Sequence, residues 1–190
     1  MPEGKIIVVS APSGSGKSTL IKVIKNKFPK ILESISTTTR APRGEEEHGK
    51  HYFFVTREEF LKQKEAGGFI EWAEVHDNFY GTSKSFVEDN LSRGNSILFD
   101  IDVQGANNLK ALYGDEAKVI FIVPPTLEEL ERRLRDRGTE TEKSIATRLR
   151  NARKEMEYKE KYDYLLVNDD LEVAKRDIEA LVAEIMGGSD

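Results

Sequence analysis

The stretch Ile6-Ile7-Val8-Val9-Ser10-Ala11-Pro12-Ser13-Gly14-Ser15-Gly16-Lys17-Ser18-Thr19 decides the fold. A short apolar strand runs into a turn rich in glycine and serine, and Gly16-Lys17-Ser18-Thr19 then opens an amphipathic segment. Glycines let successive backbone N–H groups curl around an oxyanion, and a following helix N-terminus adds partial positive charge. In such a loop Lys17 reaches the β- and γ-phosphates and the Ser18 hydroxyl ligates Mg2+. The strict pattern has glycine where this chain has Ala11. Strand, loop, Lys-Ser pair and helix nonetheless coincide, which an ordinary turn does not require. The segment from Ala11 to Thr19 therefore reads as the cradle of a nucleoside triphosphate.

At 190 residues the chain has room for one well-buried domain with inserted subregions. A net charge of −5 leaves no basic excess to neutralise a nucleic-acid backbone, so no nucleic-acid partner is expected. Seven of the twelve arginines nevertheless fall between Arg132 and Arg153, a local cationic patch suited to a compact polyanion. Cysteine is absent, which excludes disulfides and thiolate metal sites. His48, His51 and His76 lack the spacing of a metal centre. The longest apolar run, Val119 to Val123, is far too short to span a bilayer, and the N-terminal region carries the phosphate loop instead of a leader. The expectation is a cytoplasmic enzyme with no membrane partner. Nothing in the sequence indicates an oligomeric state.

Apolar runs suited to buried parallel strands occur at Ile6–Ser10, Ser96–Ile101, Val119–Val123 and Tyr164–Val167. Helical patterns separate them. Thr19–Lys27 follows the loop, and Thr126-Leu127-Glu128-Glu129 is a capping-box signature ahead of Leu130 and Leu134. Thr139-Glu140-Thr141-Glu142 is a second such signature, leading into Ile145, Leu149, Ala152 and Met156, and a last helix begins near Asp170. Alternating strands and helices predict an α/β, three-layer fold with a parallel central sheet. Residues 33–90 break the rhythm with Pro42-Arg43-Gly44, Gly49-Lys50, Gly67-Gly68 and Tyr80-Gly81, and short β-like pieces such as Tyr52–Val55 lie among them. An insertion of this kind in an α/β enzyme is commonly a binding element.

A phosphate loop alone does not separate a GTPase, a motor ATPase and a small-molecule kinase. No Asn-Lys-x-Asp base-specificity motif is present, and the small size with a polar insertion favours a kinase that closes over two nucleotides. The segments Ser36-Thr37-Thr38-Thr39-Arg40-Ala41-Pro42-Arg43-Gly44-Glu45, Gly49–Phe54, Phe69-Ile70-Glu71-Trp72-Ala73, Tyr80-Gly81-Thr82, Asp100-Ile101-Asp102-Val103-Gln104-Gly105 and Arg137–Thr141 resemble the signatures of guanylate kinases, in that family's order. The resemblance runs from the phosphate loop to Asn168-Asp169-Asp170.

It implies transfer of a phosphoryl group from ATP to GMP with Mg2+, by a core (1–32, 93–125 and 156–190) carrying a GMP-binding region (33–92) and a mobile lid (126–155). Arg40 and Arg43, three apart in a turn-rich segment, have forks that can clamp a monophosphate. From spacing alone they read more readily as a solvated turn. The resemblance assigns them to the GMP phosphate, with Tyr52 and Tyr80 as hydroxyl donors. Guanine presents N1–H and N2–H2 side by side, a double donor that one carboxylate can accept, and the resemblance places Glu71 there. Glu71 alone reads equally as the exposed side of an edge strand. Ser36, Gly81, Thr82 and Asp102 are implied to complete the acceptor site. The strand Ser96–Asp100 ends in the aspartate that would share Mg2+ with Ser18. Arg133, Arg137 and Arg148 match triphosphate-facing arginines, and Asn168 falls where the adenine is contacted. Arg132, Arg135, Arg150 and Arg153 have no such match and read as solvated or paired with Glu131, Asp136 and Glu157. Two rival readings are a silent module that binds protein ligands and a kinase for another acceptor.

Overall fold

The computed structural model describes residues 4–75, 77–136, 138, 141–158 and 161–187. Strand β1 (Ile6–Ser10) is buried along its whole length and ends directly in the phosphate loop, which passes into α1 (Lys17–Lys27). A strand hidden on both faces has to be apolar throughout, and this explains the unbroken Ile-Ile-Val-Val run. β2 (Leu32–Glu33), β7 (Ile97–Asp100), β8 (Ala117–Val123) and β9 (Tyr164–Val167) join β1 in a parallel sheet of order β2-β7-β1-β8-β9. Strand order reverses on either side of β1, and in open α/β sheets ligands bind at that switch point, beyond the carboxyl ends of the strands.

Successive β1 residues feed opposite layers. Ile7 and Val9 pack with Leu20, Ile24, Ile178 and Val182, from α1 and α7 (Leu171–Ile185). Ile6 and Val8 pack with Val87 and Leu109, from α3 (Lys84–Ser92) and α4 (Val103–Tyr113). The three layers follow from this alternation.

A second sheet of order β4-β3-β6-β5 is built from β3 (Thr37–Thr38), β4 (Phe53–Phe54), β5 (Phe69–Val75) and β6 (Asn78–Ser83). Here β5 and β6 form an antiparallel hairpin with Asp77 at φ 63° in the turn, and β3 pairs antiparallel with β6 but parallel with β4. Helix α2 (Arg57–Glu65) closes this unit through Phe60, whose ring stacks on Phe69 at 4.4 Å and on Phe79 at 5.2 Å. Its N-terminus is a full capping box between Thr56 and Glu59. At Thr126 only half of the expected box forms, because Glu129 turns to Arg132 and Arg133. Thr139 and Glu140 lie outside the described residues, and Thr141 is the residue that caps α6 (Glu142–Met156). The helix α5 (Leu127–Asp136) places Leu130 and Leu134 beneath the phosphate loop. Among the described residues no helix is long and apolar enough to cross a membrane.

Candidate active site

Gly14 and Gly16 hold φ of 94° and 89°, the left-handed region that a loop wrapping an anion requires. A side chain at Gly16 would in addition strike Asn168 Nδ2 at 2.3 Å. That amide donates to the Ser15 carbonyl at 2.8 Å, and the backbone N–H of Asn168 donates to Val123. Asn168, expected at the adenine, thus ties the loop to the end of β8 just beyond its own strand β9. Ser15 is buried at the same point.

Pairing in the sheet sets Val9 opposite Asp100, so the carboxylate at the end of β7 lies beside the loop that β1 feeds. Lys17 bridges the two: its Nζ is 2.6 Å from Asp100 and donates to the Ile101 carbonyl at 3.1 Å. Lys17, Ser18, Asp100 and Asp102 line a cleft of about 310 Å³ together with Ser36, Tyr52, Glu71 and Tyr80. A neighbouring cleft of about 380 Å³ is walled by Ala11, Pro12, Ser13, Gly14 and Gly16–Thr19 and shares Lys17, Ser18 and Asp102 with the first. Two cavities thus meet at one lysine. A third, lined by Ser13, Arg43, Thr147, Arg148 and Glu155, continues outward along α6, and Arg148 hydrogen-bonds the Ser13 hydroxyl.

Glu71 projects from β5 into the first cleft and is only 7% exposed. The Thr82 hydroxyl, opposite it on β6, donates to Glu71 Oε1 at 2.7 Å. Burial, reinforced by the nearby Asp102 charge, pushes the carboxyl up to about 7 against the pull of Thr82. Asp102 itself caps α4, accepting from the Gly105 N–H at 2.9 Å. Ser36 is buried at the cleft wall. Gly81 sits in mid-β6, where the absent side chain makes room for Phe60 and Phe69.

Arg40 lies over the Tyr52 ring at 5.3 Å and interacts with Tyr80. Both of its terminal nitrogens engage Glu46 at 2.9 Å, and the Arg43 N–H donates to the same carboxylate at 2.8 Å. Glu46 escaped the sequence reading because it sits in a run of three glutamates that looks like a solvated face. Its one signal is the three-residue offset from Arg43. Glu155, also unforeseen, faces the loop from α6, and burial raises its pKa. Arg133 pairs with Glu129 at 2.7 Å and reaches the Asp169 carbonyl at 3.3 Å. Arg132 and Arg135 pair with Asp136 and Glu131, as their helical spacing predicted. Arg137 lies outside the described residues.

The oxygen donors beside Lys17 fit magnesium. Ser18 and Asp100 are hard ligands in one cleft, and no cluster of three acidic or histidine side chains competes among the described residues. Mg2+ characteristically takes one or two protein oxygens and completes its shell with water and phosphate.

A phosphate loop at the switch point of a parallel sheet, opening onto a second pocket with a buried carboxylate, defines a P-loop phosphotransferase with an acceptor site. Comparison with known proteins narrows the class. The guanylate kinase family model matches residues 3–185. A guanylate kinase of Nitratidesulfovibrio vulgaris is 49% identical over 95% of this chain and 87% of its own. One from Porphyromonas gingivalis is 45% identical over 96% and 98%. The crystal structure of guanylate kinase from Anaplasma phagocytophilum superposes with a TM-score of 0.76 at 41% identity, covering 97% of this chain and 88% of that one. The chain belongs to the guanylate kinase family.

Proposed function

We infer that the two clefts perform the reaction of the family, transfer of the γ-phosphoryl group of ATP to GMP to give ADP and GDP. The observation that carries the acceptor assignment is the buried Glu71 carboxylate, fixed by Thr82, in a cleft that also contains Lys17. Guanine offers two adjacent donors to such a carboxylate, whereas adenine presents an N1 acceptor there. ATP occupies the cleft walled by Ala11–Thr19, where backbone N–H groups meet its phosphates. Arg40 and Arg43 bind the GMP phosphate, with Tyr52 and Tyr80 as hydroxyl donors, and Ser36 completes the base contacts. Ser18 and Asp100 hold Mg2+, which neutralises phosphate charge when bound.

The GMP phosphate is already an anionic nucleophile, so no side chain has to remove a proton to create one. Catalysis is alignment and charge neutralisation. Lys17 is set between the two clefts for this, and Arg148, reaching Ser13 from α6, brings a further cation to the donor side. Residues 126–155 form the lid, and its closure with the insertion excludes the water that would otherwise attack ATP. Such an enzyme belongs with the cytoplasmic nucleotide pool and returns GMP to it as GDP.

The test measures ADP formation with GMP, IMP and AMP for the native chain and Glu71→Gln. IMP lacks the N2 amino group, and losing a hydrogen bond to a charged, buried acceptor costs roughly 1.5–3 kcal/mol, or about ten- to a hundredfold in kcat/KM. The native chain should therefore rank GMP over IMP over AMP, and Glu71→Gln should shrink the GMP-to-IMP ratio. An unchanged ratio in the variant removes Glu71 from base recognition.

A further inference from the structure

Gly105 lies in the first turn of α4, and its φ is not positive. Backbone conformation therefore does not call for glycine here, and glycine is among the poorest helix formers. Space does call for it. A Cβ at this position would stand 3.1 Å from Glu71 Oε2, with Ile101 Cδ1 and Cβ at 3.2 and 3.3 Å. Contacts this short are relieved only if a neighbour moves.

The neighbours are unequally held. Ile101 packs against the core cluster of Ile97, Phe99 and Leu109. β5 cannot retreat easily, because Asn108, one turn further along α4, donates from Nδ2 to the Trp72 carbonyl at 3.2 Å. Thr82 holds Glu71 by Oε1. The carboxylate end of Glu71 is left as the group that gives way, Oε2 turning aside by rotation about the last bond and carrying Oε1 with it against the hold of Thr82. That carboxylate shares the acceptor cleft with Lys17 and Tyr80.

We propose that Gly105 is a specificity-determining residue: its missing side chain fixes the orientation of the Glu71 carboxylate, so that any larger residue there turns Oε2 aside and relaxes the choice of guanine. Gly105 acts through Glu71 and is a positioning residue. The proposal rests on the base-reading role of Glu71 given above.

The experiment is a double-mutant cycle in the full chain: native, Gly105→Ala, Glu71→Gln and the pair. Each protein is assayed for kcat and KM with GMP, IMP and ATP. Gly105→Ala should lower the GMP-to-IMP ratio of kcat/KM on the order of tenfold, the scale of a slightly misplaced recognition group. KM for ATP and kcat should stay within about twofold, and in the Glu71→Gln background the alanine should change the ratio no further, because coupled residues are not additive. A reduced ratio that persists in that background places the effect elsewhere and overturns the proposal. So does a rise in KM for ATP, since it would mean that Ile101, whose carbonyl accepts from Lys17, had yielded instead. An unchanged ratio in Gly105→Ala, with Glu71→Gln still effective, overturns the proposal and leaves the reading of Glu71 standing. If Glu71→Gln itself is without effect, that reading fails first. Should Gly105→Ala unfold, adding Glu71→Asp withdraws the carboxylate by one methylene. Recovery of the melting temperature then supports the crowding argument, and no recovery refutes it.

Discussion

Glu71 sits with a carboxyl pKa near 7 in place of its ordinary 4.5, because burial outweighs the Thr82 hydroxyl and the Asp102 charge adds to the burial. Two consequences have definite signs. A group whose folded pKa is raised stabilises the fold in its neutral form; that contribution is complete below about pH 4.5 and is lost as pH rises through about 7. Recognition runs the other way. Guanine brings two donors, so it needs the ionised carboxylate, and a neutral carboxyl would set its own O–H against them. KM for GMP should therefore fall about tenfold between pH 6 and pH 8, following the ionised fraction of a group titrating near 7. The substrate phosphate titrates in part of this range as well. Glu71→Gln sees the same phosphate, so the native profile divided by the variant's isolates the carboxyl. A quotient flat across that range would show that Glu71 is already ionised at pH 6 and would move its pKa well below neutrality.

At the scale of elements, the phosphate loop is held from outside itself. Its backing comes from neighbours: the buried amide of Asn168, just past the end of β9, is one direct polar strut, and Arg148 reaches Ser13 from α6 as another. Asn168→Ala removes the donor from the buried Ser15 carbonyl, a loss of about 1–3 kcal/mol. For a chain of this size each kcal/mol corresponds to roughly 2–4 °C in Tm. The expected result is a lower Tm and a higher KM for ATP, with the preference for ATP over GTP unchanged. A change in that preference at constant Tm would instead put Asn168 at the base, as the sequence resemblance implied. The same element shows what could be read in advance. The strand, loop and helix of residues 6–27 were legible because burial on both faces leaves an unbroken apolar run and anion binding leaves a glycine pattern. β8 was legible for the first of these reasons, whereas β9 is an edge strand that buries Leu166 and exposes Leu165 and Val167, and was legible only as a short apolar run. β4 lies inside the β-like piece Tyr52–Val55, but β2 and β3 were not legible, since a two-residue strand is defined by its partner and carries no periodicity of its own. Asp100 was legible as the polar end of an apolar strand. Glu46, Glu155 and Asn108 were not, because each gains its meaning from a side chain or carbonyl contributed by a distant element or a tight turn.

Across the whole molecule the hydrophobic interior is divided. The central sheet is packed on both faces by α1, α7, α3 and α4, whereas the second sheet is held by its own aromatic cluster of Phe60, Phe69 and Phe79. Phe60 is fully buried and is the buried residue of α2, so α2 stays on the sheet largely through this one ring. The division places ATP recognition and base recognition on units whose sources of stability are partly separate, joined where Ile70 of β5 packs on the central cluster and Asn108 of α4 holds the Trp72 carbonyl. Glu71 and Thr82 belong to β5 and β6, which the aromatic cluster backs; Lys17 and Asp100 belong to the central sheet. Truncating a buried phenylalanine costs about 3–5 kcal/mol, comparable with what a small subregion of this kind can hold. Phe60→Ala should therefore loosen the second sheet before the first. Amide exchange should accelerate along β5 and β6 while β1 and β8 remain protected, and calorimetry should show GMP binding lost with ATP binding retained. Saturating GMP should recover part of the protection, because a ligand that binds only the folded unit stabilises it by mass action. Uniform acceleration over both sheets, with ATP and GMP binding lost together, would mean that the two cores unfold as one and that the insertion has no stability of its own.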